Sequence, residues 1–270
     1  MRICVRLFLL AVFSSNANAA EPVSLQYKPA HEKPRIAIII DDLGDRLRDG
    51  RRVIDLPGQL TIGIIPYTPY AKKLAQYATQ RDKEILLHLP MEAIADKYLG
   101  KAGLHSAMSQ NEFFTSLETS LSYIKNIRGV SNHMGSRLTQ NTQMMTWLMQ
   151  GISQRGDLYF VDSRTIDTSL ALASAKDEGL DHATRDVFLD HNPDPARIKK
   201  QWNYFLKYAN KKGSAIAIAH PYPETIRFLK VALAELEREN IMLVSVSELI
   251  EWRQSRGKLA WRNPTVQTTP

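Results

Sequence analysis

The chain has 270 residues, 44% of them hydrophobic and 23% charged, a globular composition long enough to bury one large core. Its formal charge of +7 is scattered along the chain, with Arg2 and Arg6 at the very start; the absence of an aromatic-interleaved basic stripe argues against nucleic-acid binding. The single cysteine, Cys4, leaves nothing beyond it to form a disulfide, a thiolate nucleophile or a thiolate metal ligand.

Taken in chain order, residues 1–20 combine a basic start, an apolar stretch from Leu7 to Phe13 and the small-residue pattern Ala17-Asn18-Ala19. This predicts a signal peptide and export, with the bacterial periplasm as the expected compartment. The stretch is shorter than the roughly 20 residues of a membrane span, and no later segment is apolar enough to serve as one. Residues 21–34, with Pro22 and Pro29, read as a linker. From Arg35 the pattern alternates. Strands are expected at Ile36–Ile40, Leu60–Ile65, Ile85–His88, Gly129–Asn132, Leu158–Val161, Ser214–His220 and Ile241–Val246, with a further short one at Val187–Leu189. Helices are expected between them. Asn111–Ile127 places Phe114, Leu117, Leu121 and Ile124 on one face, Pro195–Lys212 ends at Gly213 as a C-cap, and Pro223–Asn240 and a short helix ending at Trp252 follow.

About seven strands alternating with helices predict an α/β fold of parallel units in a single domain over 35–252, followed by a flexible tail over 253–270. An irregular (β/α) barrel is favoured over an open doubly wound sheet, because no glycine-rich nucleotide loop follows the first strand.

Both architectures gather function at the carboxyl ends of their strands. Five apolar runs deliver Asp or His there. "RIAIIIDDLG" ends in Asp41 and Asp42, "LLHLPME" carries His88, "SNHMGS" carries His133, "FVDSRT" carries Asp162, and "IAIAHP" carries His220. Two adjacent like charges at the end of a buried strand are costly without a partner, and a divalent cation would resolve the conflict. One Asp with two His is a ligand set with positions left open for water and substrate, and imidazole suits zinc. The second aspartate could then serve as base, and a histidine across the pocket as acid.

These pieces, together with "RDVFLD", resemble the divergent polysaccharide deacetylase family, a distant branch related to NodB-type deacetylases, from about Ile36 to Leu249. The resemblance implies a distorted (β/α) barrel that removes acetyl groups from N-acetylated sugars with a water activated at one divalent ion, here expected to be zinc. It implies Asp41 as base, Asp42 as metal ligand, His88 as a second ligand and His220 as acid. The family's second motif supplies a pair of histidines, whereas here Pro90, Met91 and Glu92 follow His88 and its neighbour; His133, from the next strand end, is the candidate third ligand by position. Asp162 is expected either to orient His220 or a metal histidine, or to cap the following segment. Arg164 either holds an anionic group or sugar hydroxyl, or pairs with Asp162 or Asp190. Glu92 and Ser136 are further candidates for the pocket's substrate-binding wall. The expected partner is an envelope carbohydrate such as peptidoglycan, N- or O-acetylated. The lone His88 motivates a second reading, a glycan- or partner-binding protein with little or no catalysis on the same barrel.

Overall fold

The computed structural model describes residues 32–262; the expected signal peptide, residues 21–31 of the expected linker and residues 263–270 lie outside the described residues. Strands β1 (Arg35–Leu43), β2 (Thr61–Ile64), β3 (Glu84–Met91), β4 (Ile127–Met134), β5 (Tyr159–Asp162), β6 (His182–Thr184), β7 (Val187–Phe188), β8 (Ser214–Ala219) and β9 (Met242–Leu243) form one sheet. All pairings are parallel, in the order β6-β5-β4-β3-β2-β1-β8-β7, with β9 beside the start of β1. The one strand the sequence pattern does not announce is β6, whose three residues include a single apolar side chain, Ala183.

That short strand closes the barrel. Residues 182–184 pair with β5; Asp186 N then donates to Ile216 O at 2.9 Å and Leu189 N to Ile218 O at 2.9 Å as the same run joins β8. One extended segment thus leaves one edge of the sheet and completes the other, giving the irregular (β/α) barrel in a single domain.

Helices α1 (Leu47–Ile54), α2 (Ala71–Thr79), α3 (Gln110–Tyr123), α4 (Thr142–Ser153), α5 (Ala171–Asp177), α6 (Pro195–Lys212), α7 (Pro223–Glu235) and α8 (Val246–Arg262) surround it. Their ends follow from local chemistry. Ser109 and Glu112 form a capping box on α3, and Asp194 accepts from Ala196 N and Arg197 N ahead of Pro195 in α6, which stops at Gly213 with φ 82°. On α3 it is Phe113, rather than Phe114, that is fully buried. The last helix continues past Trp252, so residues 253–262 of the expected tail are helical. Arg253 holds this part to the barrel, with Nε 2.9 Å from Ser214 Oγ and Nη2 3.3 Å from Asp186 Oδ2, polar contacts that apolar spacing does not signal. No helix among the described residues is long and apolar enough to cross a membrane.

The period-2 alternation of strands sorts β1 into two cores. Ile36, Ile38 and Ile40 pack outward under the helices, while Ala37 and Ile39 pack inward with Leu86, Val161, Ile216, Ile218 and the α8 residues Val246, Leu249 and Ile250. Below this apolar layer, Glu84 accepts from Thr61 Oγ1 (2.9 Å), Tyr159 OH (2.7 Å) and Val246 N (3.0 Å), closing the amino end of the barrel on the first turn of α8. Above it, the same inward rows continue into Asp41, His88, Ser131, His133 and His220. The inward-facing titratable residues therefore gather mainly at the mouth, with Glu84 at the floor.

Candidate metal centre and its acid

Three of the sequence-derived residues converge at the mouth. Asp42 Oδ1 lies 2.8 Å from His133 Nδ1 and 3.2 Å from His88 Nε2, and the two imidazole nitrogens are 3.3 Å apart. This is the cluster among the described residues whose ligand atoms could share one cation. A tetrahedral zinc site with ligands near 2.0 Å has edges of about 3.3 Å, so the donor set and its spacing fit that ion. Close as these nitrogens stand, Asp42 Oδ1 makes no well-aligned hydrogen bond to either of them.

Strand pairing explains the meeting of the two histidines. His88 on β3 pairs with Ser131 on β4, and His133 stands two residues farther along the same face of β4. Diagonal neighbours on adjacent strands are within reach of long side chains. Pro90 lies beyond the last β2 partner, Leu87, so its missing N–H breaks no pairing there.

Asp42 reaches the cluster by a different device. Alternation alone would turn it outward, opposite to Asp41. The β1–β2 pairing is irregular between Ile40 and Leu43, and Asp42 adopts φ 61°, a left-handed conformation costly for a side-chain-bearing residue. Tyr67, Met134 and Arg164, in segments at the same mouth, also have positive φ. Asp82, Asn126 and Asn240, ahead of β3, β4 and β9 at the other end, do as well, so positive φ is not confined to the mouth.

The neighbouring aspartates end in opposite states. Asp41 is 1% exposed; burial pushes its carboxyl up, against the pull of His88. Its Oδ1 faces His88 Nδ1 at 3.3 Å, and neither oxygen has a hydrogen-bond partner. Gly63 on β2 makes room, since any Cβ there would overlap the Asp41 carboxylate. Burial pushes Asp42 up as well, but the imidazoles of His133 and His88 outweigh it and hold its carboxyl well below the usual carboxylate range. Asp42 is thus kept ionised beside a carboxylate of raised basicity.

Across the mouth, His220 points Nε2 toward Asp42 Oδ2 at 3.7 Å and Nδ1 toward Asp190 Oδ1 at 2.9 Å. The same carboxylate accepts from His220 N and Thr225 Oγ1, each at 2.7 Å. Burial pushes His220 down, but the hydrogen bond and charge of Asp190, then the charges of Asp42 and Asp41, outweigh it and raise its pKa.

The remaining candidates lie apart from this cluster. Asp162 does not orient His220, a place taken by Asp190; its Oδ1 accepts from Arg164 N at 2.8 Å, the local turn-capping alternative. Arg164 pairs with Asp167 at 3.2 Å, not with Asp162 or Asp190. Glu92 accepts from Ser106 N at 2.7 Å and pairs with Arg137 at 3.2 Å, and Ser136 Oγ accepts from Ile94 N at 2.9 Å. Both pin the segment after β3 to the turn after β4, so their charge and hydroxyl are already engaged in shaping the rim.

Sequence reasoning missed two residues. Asp190 ends "RDVFLD", directly after the short strand expected at Val187–Leu189, and the sequence reading offers it only as a partner for Arg164. Ser131 lies on the inward row two residues before His133, and its Oγ is 2.8 Å from His88 Nδ1. Were Nε2 to ligate a cation, Nδ1 would carry the proton and could donate to Ser131 Oγ, which would fix the tautomer and ring angle. Ser131→Ala is expected to weaken zinc binding about 10- to 100-fold, measured by competition with a chromophoric chelator, with the melting temperature of the metal-free protein little changed.

Comparisons with known proteins bear on the family and the fold. The model of the divergent polysaccharide deacetylase family matches residues 38–250. An uncharacterized protein of Haemophilus influenzae is 36% identical over 222 residues, covering 82% of this chain and 78% of the relative. The crystal structure of an uncharacterized protein from Agrobacterium tumefaciens superposes with a TM-score of 0.78 at 27% identity, over 81% of this chain and 89% of that one. The catalytic domain of peptidoglycan N-acetylglucosamine deacetylase from Eubacterium rectale shares the fold, with a TM-score of 0.50 at 12% identity over 80% of this chain and 90% of that one. The match of the family model across the whole barrel, mouth included, establishes that this chain belongs to the divergent polysaccharide deacetylase family.

Proposed function

We propose that the protein is a zinc-dependent hydrolase of the exported compartment, the periplasm, that removes acetyl groups from an envelope carbohydrate. The observation that carries this reading is the convergence of Asp42, His88 and His133 opposite an Asp190-held His220. The leader pattern over residues 1–20 supports export. The fold neighbour that acts on peptidoglycan N-acetylglucosamine makes N-acetylglucosamine oligomers the first substrates to try.

Asp42, His88 and His133 would hold the ion. When bound, it supplies Lewis acidity toward the amide carbonyl and lowers the pKa of water in the site. Asp41 takes the proton of the attacking water. Its oxygens have no protein donor, and its raised basicity brings it closer to the working pH of a general base. His220 gives the proton from Nε2 to the departing sugar amine, and Asp190 keeps Nδ1–H fixed so that Nε2 faces the site.

The test is acetate release from N-acetylglucosamine oligomers by the purified, zinc-loaded chain, with metal content measured alongside. One equivalent of zinc and metal-stimulated acetate release are expected, and His88→Ala and His133→Ala should each lose both. A folded, zinc-loaded protein that releases no acetate from N- or O-acetylated sugars, yet binds them, would overturn the hydrolase in favour of the binding reading.

A further inference from the structure

Two residues beyond His220 stands Tyr222, between Pro221 and Pro223. It is one of the few large hydrophobic residues left exposed, at 41%. Its backbone sits at φ −69° and ψ 142°, the extended conformation that a following proline imposes. Pro221 stiffens the approach on the other side. The ring is therefore carried on a backbone with little freedom left to lose, at the lip of the site.

Its neighbour is the imidazole of His220, with ring centroids 5.6 Å apart and planes 34° from parallel. Phe188 of β7 flanks the same imidazole at 5.2 Å, but the Arg185 guanidinium lies over the Phe188 ring at 5.1 Å. Phe188 is thus already stacked, whereas Tyr222 keeps much of its ring in water. The first turn of α7 is anchored instead by Thr225 and Ile226, both buried, so burying Tyr222 is not what holds the turn.

We infer that Tyr222 is the stacking platform for the pyranose ring whose nitrogen receives the proton from His220. This rests on the hydrolase reading above and names what it would grip. The departing amine is bonded directly to a ring carbon of the sugar, so a sugar placed for protonation at Nε2 lies against whatever borders His220. The C–H face of a pyranose packs on an aromatic face, which offers a large, rigid apolar surface at little entropic cost. The phenol oxygen adds a polar handle: burial and the charges of Asp190 and Asp42 push its pKa up, so at neutral pH it remains a donor to a sugar hydroxyl. The ligand class is accordingly an amino-sugar polymer presented ring-on, in contrast to a bare acetyl ester.

The experiment compares the wild type, Tyr222→Ala and Tyr222→Phe, each zinc-loaded, on N-acetylglucosamine tetramer and on 4-nitrophenyl acetate, which has no sugar ring. Tyr222→Ala should raise KM for the tetramer about five- to tenfold, the loss of one stacking contact, and should change KM for the ester by clearly less. Tyr222→Phe should restore most of the KM. Equal KM values for Tyr222→Ala and wild type would overturn the platform while leaving the hydrolase standing. Failure of the wild type to release acetate from any N-acetylated sugar would overturn the platform, and failure on O-acetylated sugars as well would overturn the hydrolase with it.

Discussion

Asp42→Asn is expected to abolish stoichiometric zinc binding and to lower acetate release by about a thousandfold, the several kcal/mol that a Lewis acid contributes. The substitution is chosen for its shape. Asparagine is nearly isosteric and tolerates the left-handed conformation seen at φ 61°, so the loop should survive while the charge is lost. Some stability should go with it. The depressed Asp42 carboxyl stabilises the fold at pH values above its unfolded pKa, and this contribution disappears as pH falls through the folded value. At neutral pH the variant therefore melts lower than the wild type, and its melting temperature should not respond to zinc, whereas that of the wild type should rise with zinc concentration. Thermal melts with and without zinc, with elemental analysis, decide the matter. An Asp42→Asn protein retaining one equivalent of zinc would remove Asp42 from the ligand set.

Replacing Asp190 should act on the other half of the site. Its carboxylate is fully buried and receives His220 N, His220 Nδ1 and Thr225 Oγ1, and it heads the influences that raise His220 against burial. A general acid must hold its proton, so activity falls as pH rises through the pKa of His220. With Asp190 present that alkaline limb should lie above the ordinary histidine value of about 6.5. In Asp190→Asn it should move down, and kcat at slightly alkaline pH should fall about 10²- to 10⁴-fold. The same linkage bears on stability: a histidine raised in the folded state stabilises at pH below its unfolded pKa, and that share is lost as pH climbs through the folded value. Zinc content should remain near one equivalent, since Asp190 touches no candidate ligand of the ion. A pH–rate profile of Asp190→Asn with its alkaline limb unmoved would show that His220 draws its proton affinity from elsewhere, and zinc loss would show that the two halves are not separable.

Most of the site was legible because strand ends are legible. Asp41, Asp42, His88, His133 and His220 each follow an apolar run of strand length, and a parallel barrel brings all such ends to one mouth. The departure from the family's paired histidines was equally visible in "HLPME", and position alone nominated His133 to replace the absent partner. What stayed open did so for physical reasons. Asp162 offers two readings from sequence, a partner for a histidine or a cap for the following segment, and the structure shows the capping one, with Arg164 N donating to its Oδ1. Asp190 also follows an expected strand, Val187–Leu189, but nothing local says which side chain its carboxylate meets; the pairing of β7 with β8 sets it beside His220. Glu92 and Ser136 bear chemistry-capable groups, but the rim loops consume them in holding their own shape.

The alternation of strands and helices, the inward row of apolar residues that turns polar at the mouth, and the candidates for one ion and one acid are all readable from the chain alone. These are properties of local composition and period, which the chain carries wherever it goes. How the candidates are divided depends on the packing of distant segments. Asp42 turns into the mouth because of an irregularity in the pairing of β1 with β2, and His133 reaches His88 because β4 runs in register beside β3. Asp190 reaches His220 because residues 182–189 cross from one sheet edge to the other. Each of these depends on contacts between segments far apart in the chain, which local periodicity does not specify.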